Sequence, residues 1–210
     1  DPNFYSEFID IEAMQRKHQY LEDLPMDNME DLALVLAIFG GFIEGVQLFS
    51  SFAIINSFPF RGKLLGTGQI VTWSIRDESI HCEAITQLFR TLIEEKPEIW
   101  TDEFKGRIYS ACEHIVELED AFIDECFKDC DVEGMKPEEV KQYIRYMADI
   151  RLGDLGLKPI FGVRENPFPW LDVMINAIEH QNFFEGRSTN YSMGTVVDDM
   201  SRDTPAKHLD

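Results

Sequence analysis

The sequence predicts an all-α bundle. Long stretches repeat apolar residues at three- and four-residue steps, no run alternates with the period of two that a half-buried strand requires, and the breaks between stretches fall at proline and glycine clusters. The chain has 210 residues, 44% of them hydrophobic, enough for one sizeable core and short for two.

Taken in order, residues 4–22 predict a first, mostly polar helix, stopped by Pro25 in LEDLPMDN. Asp27 or Asn28 is placed to cap the next helix, whose apolar residues continue to about Ile55. A break is expected over NSFPFRGKLLGTGQ, with GTGQIV a loop before a helix start rather than a phosphate cradle, since it lacks a third glycine and a preceding strand. Helices then fit residues 69–94, 102–129 and 137–153, with Pro137 suited to a first turn. ENPFPW predicts a stiff loop, because each proline holds the residue before it extended. Residues 170–181 predict a last helix.

From Glu185 onward the composition turns polar and short of core-forming residues, predicting a flexible tail over 185–210 beside a bundle over 1–184. Nineteen Lys and Arg against 39 Asp and Glu give a formal charge of -20, which repels a phosphate backbone and argues against nucleic-acid binding. The longest apolar run, Leu32 to Ile43, is closed by Glu44 and is short for a membrane span, so no membrane segment is expected. Cys82, Cys112, Cys126 and Cys130 lack paired zinc spacing, and a cytoplasmic location is expected. The first residue is Asp1, with no targeting pattern after it, so the sequence predicts a chain that starts partway through a longer protein.

Charge in unexpected places marks the candidate site. On the 69–94 helix, Val71, Ile75, Ile85, Leu88, Phe89 and Leu92 define an inward stripe, with Glu78, His81 and Cys82 in its middle. The preceding helix carries Ala37, Gly41, Leu48, Phe52 and Ile55 on one stripe, with Glu44 between Gly41 and Leu48. Two carboxylates aimed at one core repel unless a cation lies between them, and Glu-x-x-His opposite a second Glu is half of the ligand set of a di-metal carboxylate bundle. Oxygen ligands with one imidazole suit iron or manganese better than zinc. By contrast, the acids of EHIVELEDAFIDE spread around their helix and predict a solvated face. Gly40-Gly41 points either to close helix packing beside Glu44 or to a kink.

These residues resemble a known family, the radical-generating small (beta) subunit of class I ribonucleotide reductase. RDESIH resembles its Arg-Asp-Glu-x-x-His signature and IEGVQLFSSF its upstream ligand-bearing segment; YIRYMADIRLGDLGL, NPFPW and NFFEGRSTNY extend the likeness over most of the chain. The resemblance implies a ferritin-like helical bundle with Glu44, Glu78 and His81 as metal ligands. It further implies Asp77 on the hydrogen-bonded route by which a radical leaves the centre, and Glu185 and Tyr191 in the tail that passes it on. A di-iron cofactor is implied first, with di-manganese or mixed manganese/iron as variants. A homodimer working with a large catalytic subunit, and the conversion of ribonucleotides to deoxyribonucleotides, complete the expectation. No acid-plus-histidine set precedes Glu44, so the second half-site and the radical-bearing tyrosine are expected in a region N-terminal to this sequence. A di-metal oxidase without a large subunit and a non-catalytic iron-binding bundle are the competing readings.

Overall fold

A computed structural model of the chain describes residues 10–178, with side chains through Met174. Among them are helices and connecting turns and no strand. Helix α1 spans Glu12–Glu22 and α2 Met29–Leu36; an 11-residue π-helical segment follows over Ala37–Gln47, and α3 runs Leu48–Phe60. The 31-residue α4 covers Leu65–Glu95, α5 Asp102–Phe127, α6 Pro137–Asp154 and α7 Pro169–Ile178. The tail expected over 185–210, and residues 4–9 of the first expected helix, lie outside the described residues.

Local chemistry sets most of these boundaries. Asn28 is the N-cap of α2 and accepts a hydrogen bond from the Asp31 amide at 2.9 Å; Thr101 does the same for the Phe104 amide at the start of α5, at 3.1 Å. Pro137 opens α6, where its missing N–H costs nothing. The break expected over 56–69 is much shorter than its composition suggested. Helix α3 continues through Pro59 to Phe60, and α4 begins at Leu65, so Gly66 lies in a first turn rather than a loop. Leu64, at φ 50, supplies the left-handed residue that reverses the chain there.

The π segment is the central rod, packed against α4, α5 and α6. It places Ala37, Ile38, Phe42 and Val46 in the core beside Ile75 and Phe89 of α4, Ile108 and Ile115 of α5, and Ile144, Ala148 and Leu152 of α6. Burying each large side chain of this kind contributes about 1.5–3 kcal/mol. Met29–Phe60 together make a 32-residue rod long and apolar enough to cross a membrane, which the count ending at Glu44 did not anticipate. However, 67% of its most apolar window is buried inside the protein, so the core it builds accounts for its composition.

Close packing, rather than a kink, explains Gly40. A Cβ there would lie 2.6 Å from Ile85 Cγ2 and 2.7 Å from Ile85 Cβ, so the π segment and α4 approach as closely as they do only because that atom is absent. Gly40→Ala is therefore expected to push α4 outward and cost about 1–3 kcal/mol. Ile85→Ala should restore part of that loss in the double variant, measured as a coupling in urea unfolding. Additive losses would mean that the contact is not what demands glycine.

One buried acid holds the connection after α6. Asp149 accepts hydrogen bonds from the Ile160 and Phe161 amides through Oδ1, at 2.9 and 3.0 Å, and from the Val163 amide through Oδ2 at 3.1 Å. Asn166 then accepts from the Phe168 amide at 2.8 Å, which sets the turn into α7.

Candidate metal centre

Glu44 lies toward the end of the π segment, while Glu78 and His81 are three residues apart on α4 and so share a face. The packing of the two elements brings one ligand atom from each of the three residues within 4.8 Å of the others. His81 Nδ1 is 3.4 Å from Glu78 Oε2. On the other side, Glu44 Oε2 is buried with no hydrogen-bond partner. A buried acceptor left unpaired is destabilising by about 1–3 kcal/mol, and a cation between the carboxylates would satisfy it. Burial, and then the neighbouring Glu78, push the Glu44 carboxyl above its ordinary pKa, with His81 acting against them. The donor set, two carboxylates and one imidazole in reach of a single point, fits a hard or borderline divalent metal.

Cys82 does not join this set as a thiolate. Burial is the main cause that pushes its pKa up to about 11; Arg151 opposes the shift, and Glu44 and Glu78 add to it. All four cysteines are free thiols.

The structure corrects the burial expected for RDESIH. Arg76, Asp77 and His81 are exposed, the His81 side chain by 56%, and the Glu78 side chain is 23% exposed. Leu88, placed on the inward stripe by spacing, is also exposed. The reason is geometric: α4 turns one side toward the π segment and α3, burying Ile75, Cys82 and Phe89, and no described element covers its other side. Glu78 and His81 sit at the boundary between the two sides. Glu185 and Tyr191 lie outside the described residues.

A second correction concerns α5. Glu119 is not on a solvated face but is 0% exposed; Lys17 Nζ lies 2.5 Å from its Oε2, and the Ser50 hydroxyl donates to its Oε1. The signal was present in the spacing: Ile108, Cys112, Ile115, Glu119 and Ile123 follow one another at three- and four-residue steps, which puts Glu119 on the buried stripe.

A family model described as "Ribonucleotide reductase, small chain" matches residues 2–167. Among curated relatives, a ribonucleoside-diphosphate reductase small subunit of Invertebrate iridescent virus 3 is 36% identical over 93% of this chain and 57% of its own length. One from Invertebrate iridescent virus 6 is 39% identical over 90% of this chain and 63% of its own. The chain thus spans about six-tenths of the length of these relatives. Among solved structures, the ribonucleotide reductase R2 subunit from Clostridium botulinum superposes with a TM-score of 0.74 at 20% identity, over 83% of this chain and 56% of that one, a likeness of fold.

Proposed function

Because the chain belongs to the small-chain family of ribonucleotide reductases, we propose that it is part of a subunit that holds a two-metal centre and supplies the oxidant for reducing ribonucleoside diphosphates. The convergence of Glu44 on Glu78 and His81, with one carboxylate oxygen of Glu44 buried and unpaired, carries this reading.

In this reading Glu44, Glu78 and His81 are ligands. When bound, the metal pair draws on dioxygen to supply one-electron oxidising power that no side chain has. The rest is done by the chain. Glu44 gives up the proton that its surroundings favour, so metal affinity falls as pH drops through its raised pKa. Glu78 and His81, fixed on one helix, set the angle between a carboxylate and an imidazole donor. The packed core behind them, Ile75 and Phe89 on α4 and Phe42 and Val46 on the π segment, keeps water from that side. The three residues amount to half of a two-metal ligand set, and the remaining ligands and the radical-bearing tyrosine are assigned to sequence outside this chain.

Asp77, Glu185 and Tyr191 are proposed to carry the oxidising equivalent outward, with 1–184 as part of a ferritin-like bundle and 185–210 as the segment that meets a large catalytic subunit. Iron is the metal proposed first, with manganese or a mixed pair compatible with the same donors. A cytoplasmic homodimer completes the reading. The test is reconstitution: the complete protein, loaded with iron(II) in air and mixed with a large subunit, is expected to form deoxyribonucleotides. Product no greater than from the large subunit alone would sink it.

A further inference from the structure

Three buried polar side chains from three helices meet away from the metal ligands. Lys17 of α1, Ser50 of α3 and Glu119 of α5 are 9%, 0% and 0% exposed. Lys17 Nζ sits 2.5 Å from Glu119 Oε2 and 4.1 Å from the centre of the Phe122 ring, and the Ser50 hydroxyl donates to Glu119 Oε1. Placing such a pair in a core costs several kcal/mol in lost hydration, and well-packed apolar side chains would hold the helices together at least as firmly. Polar contacts add direction: they fix how one helix is rotated and translated against another.

What they fix here is the exit of the π segment. That segment ends at Gln47, and Ser50 lies in the first turn of α3 beyond it. A π-helix closes its hydrogen bonds from i to i+5 rather than i+4, so each turn holds an extra residue, and the direction in which Glu44 projects depends on where the segment reverts to α. Such segments are less stable than α-helix and persist where tertiary contacts over-determine them. Two flanking contacts bracket Glu44. Arg151 Nε donates to the Gly45 carbonyl at 3.4 Å on the α6 side, and Ser50 is tied to Glu119 on the α5 side. Apolar packing does not take the place of the second contact. A cavity of about 440 Å³ lies at the seam of α1 and α3, lined by Met14, Lys17, Leu21, Gln47, Leu48 and Phe122.

We propose that Lys17, Glu119 and Ser50 form a buried latch that fixes the exit of the π segment and thereby the position of Glu44, acting as positioning residues for the metal site. The part of this that concerns metal rests on the ligand reading above; the part that concerns the backbone does not. Two variants test it. Ser50→Ala removes one hydroxyl from a small side chain, and Lys17→Met with Glu119→Met exchanges the ion pair for apolar groups.

In the metal-free full chain, amide hydrogen exchange over residues 41–50 is expected to speed up about tenfold in both variants, while exchange in α6 stays at the wild-type rate. In the complete protein, manganese(II) affinity should fall about five- to tenfold, read from the free-ion electron paramagnetic resonance signal. Exchange over 41–50 that stays at the wild-type rate in Ser50→Ala, or that rises only in step with α6, overturns the latch. Should the double variant fail to fold, Ser50→Ala alone decides. Faster exchange with unchanged manganese(II) affinity overturns the positioning of Glu44. A wild-type protein that takes up no manganese(II) or iron(II) overturns the ligand reading instead, and the exchange result still decides the backbone latch.

Discussion

Glu78→Ala is expected to strip the metal from the complete protein, leaving metal content at background after gel filtration while the helical circular dichroism is unchanged. The side chain is partly exposed at the edge of α4, so truncating it opens no cavity in the core and the fold should survive. What disappears is one of two negative charges aimed at a shared point within 4.8 Å of His81 and Glu44. Loss of an outer-shell partner alone typically weakens metal binding about 10–100-fold, and loss of a direct ligand should exceed that.

The same variant has a second, opposite-looking effect on Glu44. Its carboxyl pKa is raised first by burial and next by Glu78, so removing Glu78 brings it back toward the ordinary value. A raised folded-state pKa contributes stability that is fully present below the unfolded carboxylate value and is lost as pH rises through the folded one. The metal-free wild type is therefore penalised at neutral pH relative to acid, and Glu78→Ala should relieve part of that penalty. The variant that cannot bind metal should show a smaller loss of apo stability between acid and neutral pH. Metal content equal to wild type would remove Glu78 from the ligand set, whatever the pH profile.

How far the sequence led can be judged from these residues. Helix periodicity located α4, α5 and α6 to within a few residues, because their apolar stripes are long and their starts carry chemical markers such as Thr101 and Pro137. The same periodicity brought Glu44, Glu78 and His81 together before any geometry was known. It failed where spacing alone had to stand in for neighbours. A stripe gives the angle of a side chain around its own helix but not what packs over it, so Asp77, His81 and Leu88 were expected inside and are exposed.

The π segment was illegible for a related reason. Its hydrogen-bonding pattern is imposed by tertiary contacts at Gly40 and Gly45, the first against Ile85 and the second against Arg151, and no local residue type announces it. Glu119 was the opposite case. Its position on the stripe was readable, but an acid-rich surrounding sequence outweighed it, and the partner that makes its burial tolerable, Lys17, is remote in the chain.

Tyr191→Phe is expected to leave metal uptake at the wild-type level and to reduce ribonucleotide reduction to background. The separation follows from position and from chemistry. Tyr191 follows the last described residue by enough chain to reach about 40 Å when extended, ample for contact with a second subunit, whereas the ligands are fixed on the π segment and α4. Phenylalanine matches the ring in shape and removes only the hydroxyl, so packing or docking through the aromatic face is retained. What is lost is the group that can give up an electron and a proton together. If a radical must pass through this residue, no alternative partner at position 191 can supply that step, and turnover should fall about a thousandfold or more, equivalent to roughly 4 kcal/mol in the barrier. Glu185→Gln should act more mildly, changing the pH dependence of turnover while leaving the tyrosine in place. The measurement is paired: iron content per chain, and deoxyribonucleotide formed with a large subunit in excess. Full turnover by Tyr191→Phe would detach the tail from the radical route while leaving Glu44, Glu78 and His81 untouched as ligands. Lost turnover together with lost iron would mean that Tyr191 acts on the metal centre itself rather than beyond it.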